Sequence, residues 1–420
     1  MTSPVVSAQP GTRSVVLAWC APDEQTLTGL RATLTGLLAD VPADGLADFA
    51  ASWSRRHGSG PLRDAVVANS PADAQRALRT VRRARTAQRP VALMFPGQGS
   101  QHRHMALGLY RTEPAFAALV DDVLDLFGRL GDEVRADWLA DQPAIDVDDV
   151  ARAQPLLFAV DHALGRWVID HWGIRPAALI GHSVGEFAAA TVAGVFDVRD
   201  AVALMADRVA RIAVTPPGGM LAVRGSADEL ARFLRGDVVV AAVNGPRQTL
   251  LAGSSGPLAD VARDITAAGL LCKPAKATSA FHSPALAAAS AASIPAYAGL
   301  TIRPPSIPVY SAYSVAPLTA ESVQDPEFWA GQPAAPVYFG PALDRLLADA
   351  PFLLAEAGPS QGLLALAKSH RAVTSGASDV TALLPARRRS DDDDRRAALG
   401  AAARLWVEGH PVRWGDLPLP

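Results

Sequence analysis

Gly181-His182-Ser183-Val184-Gly185-Glu186 sets a serine between two glycines, each two positions away. That G-x-S-x-G spacing suits a sharp strand-to-helix turn with the hydroxyl exposed, because a Cβ at either flank would crowd the backbone. The apolar run 177–181 ahead of it reads as a strand, and the small-residue run 185–195 behind it as a helix. A helix N-terminus beside the oxygen offers free N–H groups and a dipole that favours an anionic intermediate. The chemistry open to such a serine is nucleophilic attack on an acyl carbon, and it requires a base.

Nine histidines are available for that role. His57, His171 and His410 lie beside glycine or at segment ends and read as surface groups, while His162 falls inside a helical run. His102 and His104 form an H-x-H with no further ligand spacing to make a metal site. His182 adjoins Ser183, so its side chain should point away from that hydroxyl. His282, in Ser279-Ala280-Phe281-His282-Ser283-Pro284, is the strongest single candidate by position, although position alone leaves the base open. A second glycine-rich turn, Phe95-Pro96-Gly97-Gln98-Gly99-Ser100-Gln101, ends another apolar run. No G-K-[ST] follows, so a phosphate loop is a weak reading. A loop at the carboxyl edge of an open α/β sheet, where such folds bind ligands, is the better one, with Gln98 lining the site.

The elements that must position these groups follow from hydrophobic period. A first unit, 1–89, contains a strand at 14–20, a helix over 23–38 with leucines at helical spacing, a strand at 65–68, and a helix opened by Ser70-Pro71. That last helix carries Arg76, Arg79, Arg82, Arg83, Arg85 and Arg89, which read as a solvated face rather than a docking surface. The main domain opens with the short apolar run 90–96, suited to a buried parallel strand, and continues through a helix over 153–172. Strands alternating with helices imply an α/β fold, a parallel sheet with helices on its faces. From 218 to 277 the order becomes βαββαβ: strands at 220–223, 238–243, 248–252 and 270–273, and helices at 227–234 and 257–268. That is the ferredoxin-like pattern, inserted into the larger domain. Later strands fall at 308–311 and 352–356. In the tail, Ser390 and the acids 391–394 cap a helix that turns Leu399, Ala402, Ala403 and Trp406 inward.

Composition excludes several classes. Of 420 residues, 49% are hydrophobic and 19% charged, enough for about three units at ~150 residues each. A net charge of −3 gives no global attraction to nucleic acid or to anionic membrane. Two cysteines, Cys20 and Cys272, form no disulfide framework and no zinc cluster. No signal peptide is visible and no apolar run approaches the ~18 residues of a membrane span. A cytoplasmic protein is expected.

Phe-Pro-Gly-Gln-Gly-Ser-Gln, Gly-His-Ser-Val-Gly-Glu-Phe and Ala-Phe-His-Ser, in that order, resemble the malonyl-CoA:acyl carrier protein transacylases. More closely, the chain is similar to the acyltransferase domains of modular type I polyketide synthases, over nearly its whole length. The resemblance implies an α/β-hydrolase-like core divided as 90–217 and 278–385. It implies a ferredoxin-like subdomain at 218–277, a ketosynthase-to-acyltransferase linker domain at 1–89, and a post-acyltransferase linker at 386–420 that includes Pro411-Val412-Arg413-Trp414. It casts Ser183 as nucleophile and His282 as base, with the base oriented by a backbone carbonyl at Gln332 in Trp329-Ala330-Gly331-Gln332-Pro333. Arg208, on a helix where arginine would otherwise read as solvated, becomes the group that grips the free carboxylate of malonate through paired hydrogen bonds. Gln98 and the N–H of Val184 become the oxyanion hole, and His182 and Phe281 join the substrate-binding residues.

By the same resemblance the donor is malonyl-CoA and the acceptor is the phosphopantetheine thiol of an acyl carrier protein. A ketosynthase is a further partner, and no permanently bound cofactor or metal is implied. Val184 and Phe281 match the malonyl-selecting form, since bulky Phe281 fills the space an α-methyl needs. Ser279 stands where histidine is usual, and Arg103-His104-Met105-Ala106 where a Gly-Met-Gly run is usual; both leave room for an unusual extender unit, or for a discrete acyltransferase that loads a separate synthase. A serine esterase or proofreading acyl hydrolase of the same fold is the alternative, although no acid between Ser183 and His282 is marked out as its third member.

Overall fold

The computed structural model describes residues 13–80 and 88–413. Its first unit pairs the strands Val15–Ala21 and Leu62–Ala68 antiparallel, with Val15 opposite Ala68. Helix Glu24–Leu37 is capped by Asp23, whose carboxylate accepts from Thr26 N at 2.7 Å, and helix Pro71–Leu78 starts from Ser70 with proline in its first turn. Leu17, Trp19, Leu34, Leu38 and Trp53 form the core of this unit. Trp53 comes from a helix, Leu46–Arg56, that the hydrophobic period did not reveal; its apolar stripe Leu46, Phe49, Ala50, Trp53 is diluted by alanine and serine.

The arginine-bearing helix is shorter than expected and ends at Leu78. Arg76 and Arg79 are exposed, whereas Arg82, Arg83 and Arg85 lie outside the described residues. Arg89 does not belong to a solvated face at all. It is buried, with its guanidinium 3.2 Å from the Glu408 carboxylate.

Six strands make the main sheet, in the order Ala316–Pro317, Val309–Ser311, Ala178–Gly181, Val91–Phe95, Leu353–Glu356, Asp379–Ala382. All neighbours are parallel except the two-residue edge strand Ala316–Pro317. Val91–Phe95 is buried throughout because helices cover both faces: Val91, Leu93 and Phe95 enter one core, Ala92 and Met94 the other. Helix Val150–Arg166 begins earlier than expected, capped by Asp149, so Pro155 lies inside it, and it ends in a π-turn at Trp167–His171.

Between these halves lies a four-stranded antiparallel sheet, Val239–Gly245, Gln248–Ser254, Gly218–Val223, Cys272–Pro274 in spatial order. Its first strand in sequence sits between the third and the fourth, the ferredoxin-like arrangement expected from the βαββαβ order. This sheet is stitched to the chain leaving the active site: Val243 N donates to Val337 O at 2.8 Å, and Val337 N to Ala241 O at 2.9 Å.

Helix Asp391–Val407 starts at Ser390 with a capping box closed by Asp393, and buries Leu399, Ala402, Ala403 and Trp406 as the pattern required. Its acids do more than favour a helix dipole. Asp394 is buried and accepts from Gly108 N at 2.8 Å, while Asp392 accepts from Ser14 N at 2.7 Å. Among the described residues, no helix is long and apolar enough to cross a membrane.

Candidate active site

The strand Ala178–Gly181 delivers Ser183 to the carboxyl edge of the main sheet, and helix Val184–Val192 carries the chain away. Ser183 holds φ 55° and ψ −121°, a conformation that costs of order 1–3 kcal/mol and persists only under enforcement by its surroundings. Here the glycines enforce it. A Cβ at Gly181 would strike Glu186 N, and one at Gly185 would strike the Phe95 carbonyl. Gly97 lies as tightly against the His182 carbonyl, which brings the Gln98 loop alongside the serine.

His282 Nε2 stands 2.8 Å from Ser183 Oγ. Its Nδ1 faces two carbonyl oxygens, Gln332 O at 3.1 Å and Ala335 O at 2.9 Å. Carbonyls only accept, so Nδ1 carries the proton and Nε2 is left free to accept from the serine. The Gln332 carbonyl is where the resemblance put it; that of Ala335 was not foreseen. Burial, helped by the nearby His182 and the charge of Arg208, pushes His282 down to about 4. It is therefore neutral at pH 7, the form a base requires.

Arg208 is 7% exposed, on helix Val198–Ile212. One Nη donates to Trp329 O at 3.3 Å, and the guanidinium lies 5.1 Å over the Phe187 ring. Among the described residues no carboxylate forms a salt bridge with it. A buried cation without an anionic partner is costly unless something supplies the anion. The sequence carried a signal for this burial: Arg208 falls on the stripe Ala201, Leu204, Met205, Val209, Ile212, the face that packs inward.

His182 turns away from Ser183 and places Nε2 2.9 Å from Asn244 Oδ1, with its ring against Phe339. Gln98 receives Gln154 Nε2 on its Oε1 at 3.2 Å, while its own Nε2 finds no partner among the described residues. Val184 is buried as the first residue of its helix, and Phe281 packs with Ile212, Met220 and Leu286 beside the base. The other histidines are spread elsewhere. His171 is exposed, His57 packs at a tilt against Trp53, and His410 corrects its surface reading: it is buried, with Nε2 2.9 Å from Arg89 O.

Two contributors had no assigned role in the sequence. Glu186 is fully buried on the helix that starts at Val184; its Oε2 accepts from Ala312 N at 2.7 Å and its Oε1 faces Gln332 Nε2 at 3.4 Å. Burial pushes its carboxyl up to about 8. A carboxylate three residues past Ser183 in an otherwise apolar run was the available signal. Asn244, which holds His182, was visible only as part of an Asn-Gly-Pro turn.

A serine on a strained turn with a neutral imidazole aimed at it is equipment for transferring an acyl group. The family model described as the acyl transferase domain matches residues 93–411, and the chain belongs to that family. One of the subunits of the phenolphthiocerol/phthiocerol polyketide synthase of Mycobacterium tuberculosis is 35% identical over 325 residues, 77% of this chain and 22% of that protein. Polyketide synthase GfsB of Streptomyces halstedii is 33% identical over 360 residues, 82% of this chain and 6% of that protein. The chain thus spans under a quarter of the curated relatives it matches. Among solved structures, the acyl transferase domain of SpnD in complex with 2-(pent-4-yn-1-yl)malonyl superposes with a TM-score of 0.84 at 28% identity, covering 98% of this chain and 99% of that one. The acyltransferase domain from module 8 of the salinomycin polyketide synthase gives 0.81 at 27% identity, covering 96% and 97%.

Proposed function

We propose that this acyltransferase moves a malonyl unit from CoA to the phosphopantetheine thiol of an acyl carrier protein, in the cytoplasm and beside a ketosynthase. The observation that supports it most directly is Arg208, a buried cation lacking a carboxylate partner beside the Ser183–His282 pair. The free carboxylate of malonate supplies the missing anion, and a planar guanidinium receives it through two parallel hydrogen bonds. Ser183 Oγ gives its proton to His282 Nε2 and attacks the thioester carbon. The resulting oxyanion is met by the N–H of Val184 and by Gln98. The C–S bond then breaks, the CoA sulfur takes the proton from His282 Nε2, and a malonyl-seryl ester remains. The carrier thiol repeats the sequence in reverse, passing its proton to His282 and returning it to Ser183. His282, held by carbonyls rather than by an acid, keeps one tautomer through both halves. Phe281 and Val184 favour malonyl over branched units.

Intact-mass measurement after incubation with malonyl-CoA tests this. A malonyl increment that Ser183→Ala abolishes, and that a carrier protein discharges, is the expected result. Free malonate without a persistent increment would instead make the protein a hydrolase. Arg208→Ala should lower malonyl loading about 100-fold while sparing acetyl; equal loss for both would remove the carboxylate role.

A further inference from the structure

Asn244 is buried near the end of the strand Val239–Gly245 in the small sheet, and the motifs give it no role. Its Oδ1 lies 2.9 Å from Nε2 of His182, the residue directly before Ser183. An amide carbonyl only accepts, so Nε2 carries the proton and donates it from the main sheet's edge to the small sheet. The imidazole is boxed in. Its ring packs against Phe339 with centroids 5.7 Å apart, and its Nδ1 would lie 3.2 Å from a Cβ at Gly97. The backbone is fixed as well: His182 N donates to Phe95 O at 2.9 Å, and His182 O accepts from Gly185 N at 3.0 Å. Asn244 is held from its own side by Gly340, where a Cβ would come within 3.1 Å of the Asn244 carbonyl carbon.

These contacts close a ring. From Ser183 it runs through His182 to Asn244, and along the strand to Val243 and Ala241. Those two grip Val337 from both sides, at 2.8 Å through its carbonyl and 2.9 Å through its N–H. Two residues before Val337 stands Ala335, whose carbonyl faces His282 Nδ1 at 2.9 Å. His282 Nε2 then returns to Ser183 Oγ at 2.8 Å. A second, longer tie, Gln332 Nε2 to Glu186 Oε1 at 3.4 Å, braces the same segment from the helix after the serine. The reactive distance is thus one side of a closed figure, and the Asn244–His182 bond is the side that faces it. Resting on the Ser183–His282 reading above, we propose that Asn244 is a positioning residue: by holding the His182 imidazole it sets the distance and angle between Ser183 Oγ and His282 Nε2. His182, expected among the substrate-binding residues, is the other half of that strut.

Asn244→Ala deletes the acceptor, and Asn244→Asp keeps an oxygen in its place. Asn244→Leu keeps the volume without the acceptor, and replaces the alanine variant if that one does not fold. Each is compared with wild type for malonyl transfer from malonyl-CoA to N-acetylcysteamine, with thermal unfolding as the control. Each is also inactivated with a fluorophosphonate, a serine probe that carries neither the malonyl carboxylate nor CoA. The expected result without the acceptor is a 10- to 100-fold fall in kcat at a KM within about twofold of wild type. Fluorophosphonate inactivation should slow in parallel, and Asn244→Asp should recover most of both rates. A raised KM with unchanged kcat would make Asn244 a substrate contact; a lowered unfolding midpoint with wild-type kcat per folded molecule would make it structural only. Either overturns the proposal and leaves the Ser183–His282 reading intact. A wild-type protein that gains no acyl increment dependent on Ser183 overturns both.

Discussion

Glu186 reaches His282 through a single intermediary: its Oε1 lies 3.4 Å from Gln332 Nε2, and Gln332 O faces His282 Nδ1 at 3.1 Å. The same carboxyl anchors Ala312, next to Tyr313. The helix that follows Ser183 therefore also fixes His282 and the turn opposite it, although Gln332 follows Ser183 by more than a hundred residues.

Replacing Glu186 with alanine leaves the Ala312 N–H and the Gln332 amide without their acceptor, at about 1–3 kcal/mol for each buried donor. Glu186→Ala should therefore lower both the unfolding midpoint and kcat, while Glu186→Gln keeps most of each at pH 7, where the native group is protonated. Because its carboxyl is pushed up to about 8 when folded, against 4.5 when free, the folded state holds a proton that the unfolded chain releases between those values. This group's contribution to stability falls as pH rises across that window. Urea unfolding from pH 5 to 9 should show a shallower decline for Glu186→Gln than for wild type.

The base sets the acid limit of activity. With His282 pushed down to about 4, the free enzyme keeps its neutral base well below pH 6, and kcat/KM should fall only as pH approaches 4. Arg208 contributes to that depression, so neutralising its charge raises the imidazole. The acid limb should move to higher pH in Arg208→Ala assayed with acetyl-CoA. It should move the same way in kcat against kcat/KM for wild type with malonyl-CoA, whose carboxylate offsets the guanidinium. Profiles from pH 3.5 to 8 that superpose in all these cases would show that the arginine does not act on the base.

Val315 holds φ 55° on the turn between Val309–Ser311 and Ala316–Pro317, a left-handed conformation a β-branched residue rarely adopts. Val315→Gly should raise stability by about 1 kcal/mol, less the small loss from its half-buried side chain, read as a higher urea midpoint at unchanged slope. His104 and Ala106, at φ 59° and 58°, explain in the same terms why a Gly-Met-Gly run would sit without strain around Met105.

What could be read in advance was whatever local sequence encodes. The Ser183 turn was legible because glycine at 181 and 185 is a steric requirement, and the βαββαβ subdomain because six alternating segments fall within sixty residues. The edge strand Asp379–Ala382 was missed since four half-buried residues carry little periodicity. Arg89 and His410 were misread because each is buried by a partner hundreds of residues away, Glu408 for the first and the Arg89 carbonyl for the second. Arg208 was placed by resemblance, although its helical stripe already pointed inward.

The helix Asp391–Val407 closes the chain on itself. One side of the opening strand, Leu17 and Trp19, is sheltered by helices of its own neighbourhood. The other side, Val16, Ala18 and Cys20, shares a core with Leu399, Ala402 and Trp406, and Arg63 stacks over that tryptophan. On the ribosome, where early segments emerge first, this opening sheet stays wet along one flank until the far helix arrives. Within this stretch of chain, the sheet made before the helix is among the last parts to be finished.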